Sequence, residues 1–301
     1  MESETPLLPE RGQYPQGYPG VAARFVELRS GLRVRVVEAG SDHDPPIVFV
    51  PGWGCGAWIF HDALPTVAAC GFRAIAVELK GHGLSDKPAS PGDYTLQSMG
   101  DHLIDVIDAL DLSRTGLVGH SMGAAIAARV ADIVPHRVSA AALAAPVGFA
   151  GVRGMRLFRF LTPRFALSIF PLLATRLVIR AMLAVVYGSL RRPTSEDVEE
   201  FYAPTRTPGA TTALRHLLHE FEWNRSFPDL SMPFITMVGS EDILSPQADL
   251  ARYAGRNHNG RTLVIEGAGH VIFDEAPEIV NAALCEFFTV HREAYISNRH
   301  D

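Results

Sequence analysis

The sequence predicts an α/β fold: a mostly parallel sheet with helices on both faces and a helical segment inserted within it. Three observations predict this. Short, continuously apolar and β-branched runs alternate with longer helical patterns, the rhythm of a parallel sheet covered on both sides. The rhythm stops between about 147 and 228, where helical patterns continue without strands and Pro163, Pro171, Pro193, Pro204 and Pro208 punctuate them. A Gly-x-Ser-x-Gly sequence, Gly119 to Gly123, falls where a buried strand runs into an alanine-rich helix.

The elements follow in order. Residues 24–29 and 32–38 flank Ser30-Gly31 and read as a hairpin at the start of the sheet. Ile47 to Val50 is an apolar run bounded by prolines, as a strand buried on both faces would be. A helix is expected over 57–69, ended by Gly71, then a strand over 73–77 and a helix over 96–110. Residues 116–118 and their neighbours form the strand leading to Ser121, followed by a helix over 122–134 and a strand over 138–143. After the insertion come a strand over 234–238, a helix near 247–254, a strand over 262–265 and a helix from Pro277 to about 290. The expected organisation is a loosely ordered leader over 1–23, a core over 24–146 and 229–301, and a helical lid over 147–228.

Composition narrows the function. Acidic residues outnumber basic ones, giving a formal charge of −6, and both signs are mixed along the chain. No basic stripe suggests a nucleic-acid partner. The N-terminus opens acidic and lacks an apolar secretory core. The three cysteines, Cys55, Cys70 and Cys285, show no paired spacing. They are therefore expected to be unpaired and not to hold zinc, which fits a reducing, cytoplasmic setting. Residues 165–187 are long enough to span a bilayer, but Pro171, Arg176 and Arg180 interrupt them. Each central arginine would cost about 2.5–3.5 kcal/mol on insertion. The stretch is read as an apolar lid, open to peripheral contact with a membrane surface, rather than as a span.

The chemistry centres on Ser121. A serine on a tight strand-to-helix turn needs neighbours without side chains, which Gly119 and Gly123 supply. Its hydroxyl is a weak nucleophile until a base takes its proton. In this motif class the acid and then the histidine follow the serine along the chain. Asp242 lies just beyond the 234–238 strand, and His270 beyond the 262–265 strand in a Gly-Ala-Gly turn. Both belong to the carboxyl edge, where open α/β sheets carry their sites. Glu241 and Asp249 compete with Asp242; Glu241, the nearer rival, is read as a solvated loop carboxylate. Among the twelve histidines, His216 and His219 beside Glu220 are read as lid packing rather than metal ligands. His120 and His82 receive no catalytic role. Backbone N–H donors for an oxyanion are expected at Met122, the residue after the nucleophile, and at Trp53 in the Pro51-Gly52-Trp53-Gly54-Cys55-Gly56 loop. Cys55 is read as a bystander.

These segments, together with Gly81-His82-Gly83-Leu84-Ser85-Asp86 and Gly239 to Pro246, resemble the α/β-hydrolase family, in its esterase, lipase and C–C hydrolase branch with a helical lid. The resemblance runs from about Arg24 to the end of the chain and implies an eight-stranded, mostly parallel sheet. Many relatives carry His-Gly where this chain has Pro51-Gly52, and Asp where it has Glu78. Epoxide hydrolases and haloalkane dehalogenases of this fold use an Asp nucleophile, so Ser121 disfavours those activities.

The lid is rich in Phe, Leu, Ile, Met and Val, mostly for its own packing, with the remainder lining an apolar pocket. Trp53, Phe149, Met182 and Tyr187 are the expected substrate-binding residues. The expected reaction is hydrolysis of a carboxylic ester of an apolar, lipid-like substrate through an acyl-enzyme, with no metal or organic cofactor. The nearest alternative is a C–C hydrolase of a dicarbonyl compound, whose carboxylate would need a cation from Arg153, Arg156, Arg159, Arg176 or Arg180. A ligand receptor on the same fold is a third reading.

Overall fold

The computed structural model describes residues 14–147, 175–223 and 227–295. Phe149, Arg153, Arg156 and Arg159 lie outside them, as do residues 165–174 of the apolar lid stretch.

Eight strands form one sheet in the order β1-β2-β4-β3-β5-β6-β7-β8. β1 (Val21–Glu27) and β2 (Arg33–Ala39) make an antiparallel hairpin, and β2 pairs antiparallel with β4 (Arg73–Val77). From β4 onward every neighbour is parallel: β3 (Pro46–Val50), β5 (Thr115–His120), β6 (Val138–Ala144), β7 (Phe234–Gly239) and β8 (Gly260–Ile265).

Side chains alternate across a strand, and both faces here are buried, which is why β3 reads as an unbroken apolar run. Val48 and Val50 join one core cluster with helices α2 (Leu96–Ala109) and α3 (Met122–Ile133). Ile47 and Phe49 join the other, with α1 (Ala63–Ala69) and, near the C-terminus, Pro277–Val290. The inserted region contributes α4 (Arg176–Val186), α5 (Ser195–Tyr202) and α6 (Ala210–Glu220). After it come α7 (Gln247–Arg256), the single turn α8 (Ile272–Glu275) and α9 (Pro277–Val290).

Three expectations need correction. The helix expected over 57–69 is a 3-10 turn over Ala57–Phe60 followed by α1. Pro65 has no N–H to give to residue 61 and is tolerated in the first turn of α1, whereas a helix running from 57 would place it in the interior. Within the stretch expected as a leader over 1–23, Tyr14 is buried and β1 already begins at Val21. The C=O of Tyr14 accepts from the Arg35 guanidinium at 2.6 Å, and its ring meets Tyr18 and Trp58 edge-on.

The third correction concerns the cysteines. Cys70, which closes α1, and Cys285, on α9, form a disulfide with 6.0 Å between their Cα atoms. The two are 215 residues apart, so no local spacing could reveal the pair. The inference of a reducing, cytoplasmic setting loses its premise. Cys55 is free and buried, and burial pushes its thiol up to about 12. Among the described residues no helix is long and apolar enough to cross a membrane.

Candidate active site

The site is assembled at the carboxyl ends of β3, β5, β7 and β8. β5 delivers Ser121 into a sharp turn, with φ 55° and ψ −117°, before α3 begins at Met122. A non-glycine residue in this left-handed region costs about 1–3 kcal/mol and persists only where its surroundings impose it. Here they do. The Ser121 N–H donates to the Ala144 carbonyl on β6 at 2.9 Å. A side chain at Gly123 would start 2.0 Å from the Val50 carbonyl, so only glycine lets the turn seat against the end of β3. Because α3 starts at the next residue, its positive N-terminal end faces Ser121.

β8 leads to His270, whose Nε2 lies 2.8 Å from Ser121 Oγ and whose Nδ1 lies 2.9 Å from Asp242 Oδ2. Asp242 follows β7, and its other oxygen accepts the N–H groups of Leu244 at 2.8 Å and Ser245 at 3.0 Å. Burial pushes the Asp242 carboxyl up, but His270 and these two N–H groups more than offset it and hold it below its ordinary value. An ionised Asp242 requires the proton on Nδ1, which leaves Nε2 able to accept from the serine hydroxyl. Chemically, this arrangement can move a proton from Ser121 while Asp242 steadies the charge that develops on the ring.

The loop after β3 closes on the same point. A Cβ at Gly52 would stand 3.0 Å from Ser121 Cβ, so the backbone entering Trp53 lies against the serine. The Trp53 indole N–H donates to the Leu214 carbonyl on α6 at 2.9 Å, tying this loop to the inserted region. Behind the loop, Glu78 accepts from Arg35 at 2.8 Å and from the Leu84 N–H at 2.7 Å, with both charged side chains buried. Glu at this position therefore spans from the hairpin to the 81–85 turn.

The remaining candidates are distributed differently. Glu241 is not hydrogen-bonded to His270; it accepts the Ser189 N–H at 2.8 Å and hydroxyl at 2.7 Å. Asp249 pairs with Arg252 on α7. His120 is buried, with Nε2 at 2.9 Å from the His270 carbonyl, and burial pushes its ring down to about 3, so it stays neutral. His82 is likewise pushed down to about 4 by burial. His216 pairs with Glu220 at 2.7 Å, and among the described residues no cluster of His, Cys, Asp and Glu could hold a metal ion.

Two of the expected substrate contacts, Tyr187 and Met182, differ in burial. Tyr187 is buried and its hydroxyl donates to Asp274 at 2.8 Å, so its polar end is committed within the protein. Met182 is 43% exposed, whereas Leu183 is buried and Ile179 and Val186 of the same helix pack beside it against the core. Arg176 pairs with Glu199 and Arg180 bonds Ser195, both at the surface. Sequence reasoning missed Asp274 and Glu275, two buried acids on α8. Their signal was two successive carboxylates in an otherwise apolar stretch soon after His270. Burial, opposed by the Tyr187 hydrogen bond, raises the Asp274 carboxyl to about 8, with Asp197 and Asp62 adding to the rise and Arg191 to the opposition.

Comparison with known proteins places this architecture. The α/β-hydrolase fold family matches residues 45–277. A dihydrolipoyllysine-residue acetyltransferase component of an acetoin cleaving system from Pseudomonas putida is 30% identical, over 90% of this chain and 70% of its own length. An AB hydrolase superfamily protein of Bacillus subtilis is 26% identical, over 89% of this chain and 98% of its own. Among solved structures, a haloalkane dehalogenase loop variant from Bradyrhizobium elkanii superposes with a TM-score of 0.77 at 20% identity, covering 91% of this chain and 99% of that one.

Proposed function

This chain belongs to the α/β-hydrolase fold family, and from that premise we propose that it is a serine hydrolase cleaving carboxylic esters of apolar, lipid-like substrates. The observation that carries the reading is the unbroken hydrogen-bonded chain from Ser121 through His270 to Asp242. In this reading Ser121 Oγ attacks the ester carbonyl as its proton passes to His270 Nε2. The carbonyl oxygen becomes an oxyanion, held by the N–H groups of Met122 and Trp53. The tetrahedral species collapses, His270 returns the proton to the departing alcohol, and an acyl group remains on Ser121. Water, deprotonated by His270, then releases the acid by the same steps.

Serine at the turn, rather than an aspartate, supports acyl-enzyme chemistry over the epoxide and halide chemistry of other members of the fold. Support for an apolar substrate comes from Trp53 and Leu214 beside the serine loop, and from the apolar composition of the inserted segment. The lid over 147–228, and its contact with a membrane surface, are part of the same proposal. A panel of p-nitrophenyl esters of rising chain length tests it: turnover should be strongest for medium to long acyl chains. Absence of turnover on every ester, with cleavage of a vinylogous diketone instead, would replace the ester reading by the C–C one.

A further inference from the structure

We propose that Glu275 is a positioning residue for His270, and that it works by clasping the 186–191 segment of the inserted region to the loop that carries the base; this rests on the serine-hydrolase reading above. The Glu275 carboxylate takes the N–H groups on either side of His270: Gly269 on Oε2 at 2.9 Å and Val271 on Oε1 at 3.0 Å. The N–H of His270 itself donates to the Val186 carbonyl at 2.7 Å. Three successive backbone donors are thus fixed, two by Glu275 and one by the inserted region.

Oε2 of Glu275 also accepts the Gly188 N–H at 2.6 Å, so one oxygen joins the two segments. That joint belongs to a continuous seam. Tyr187 bonds Asp274, Ser189 bonds Glu241, Leu190 donates to the Gly267 carbonyl at 3.1 Å, and Arg191 donates to the Asp274 carbonyl at 2.8 Å. Every residue from 186 to 191 is therefore bonded to the base loop, to the acid's loop or to α8 directly behind the base. The approach is close enough that a Cβ at Gly188 would lie 2.4 Å from the Gly267 carbonyl oxygen. A carboxylate with two acceptor oxygens suits three converging N–H groups, whereas an amide turns an NH₂ toward at least one of them.

The test is Glu275→Gln, read three ways on the full chain. Active sites are counted by end-point labelling with a fluorophosphonate, and kcat is expressed per labelled site. We expect kcat per site to fall roughly 10- to 100-fold, as for a base displaced by a fraction of an ångström, with KM changed less than about twofold. The proton on Nδ1 of His270 should give a downfield NMR resonance in the wild type that broadens or moves upfield in the variant. Gly188→Ala, which pries the same joint apart from the other side, should shift that resonance too. An unchanged resonance with unchanged kcat per labelled site, or a loss confined to the number of labelled sites, would overturn the inference. The resonance needs no turnover, so failure of the hydrolase reading is seen separately, as a wild type that neither labels nor hydrolyses.

Discussion

The nucleophile turn and the base loop meet at a 2.8 Å hydrogen bond, yet they are held in place by different parts of the molecule. Ser121 is fixed by the sheet: its N–H is bonded to β6, Gly123 is seated on the end of β3, and α3 continues directly from it. His270 is fixed by the inserted region: Val186 holds its N–H, and Glu275 joins its neighbours to Gly188. The difference separates two jobs. The parallel core sets where the nucleophile stands, and the insertion, which differs in composition and pattern, sets the alignment of the base toward it.

Perturbations can break or sharpen that contrast. The largest effect belongs to the core-held side. Ser121→Ala should lower kcat on p-nitrophenyl esters by roughly 10⁶-fold while leaving the melting temperature near that of wild type. Next is Asp242→Asn, which forces the wrong imidazole tautomer and should cost roughly 10⁴-fold in kcat. Glu241→Gln, by contrast, loosens only the Ser189 contact and should stay within about tenfold. Equal losses from the two acids would erase the distinction between orienting the ring and fastening the insertion.

A change remote from both loops should leave activity intact. The Cys70–Cys285 bond ties α1 to α9, and closing so long a chain is worth about 2–5 kcal/mol. Cys70→Ser should lower the thermal midpoint by several degrees with kcat at 25 °C unchanged, and titration of the unfolded, unreduced wild type should find one thiol.

The smallest effect tests the insertion side through pH. The Asp274 carboxyl sits at about 8 in the folded protein, far above its ordinary value, so the folded state binds this proton more tightly than the unfolded chain does. Its contribution to stability is complete below the ordinary carboxylate range and is lost as pH rises through about 8. The melting temperature of wild type should therefore decline over that window more steeply than that of Asp274→Asn, as followed by circular dichroism.

Legibility in the sequence divides along the same line. The core is strongly periodic, so β4 and α9 start and end where the pattern places them, and Ser121, Asp242 and His270 each stand beyond a strand that can be read directly. The seam around residues 186–191 was not legible. Backbone donors carry no sequence signature, and a glutamate such as Glu275 looks the same whether it faces solvent or three N–H groups. The disulfide was hidden for a related reason, since its partners come together only through the packing of α1 on α9. The partner of the Tyr187 hydroxyl, Asp274, was hidden in the same way, since the two are 87 residues apart.

The most direct measurement of the central claim is covalent labelling with a fluorophosphonate, followed by mass spectrometry of the tryptic peptide 115–129, which contains Ser121. Wild type should carry a single phosphonyl adduct on Ser121, and His270→Ala should lose it at the same exposure. A wild type left unlabelled, or labelled equally well without His270, would contradict the assignment of Ser121 as a nucleophile activated by that histidine.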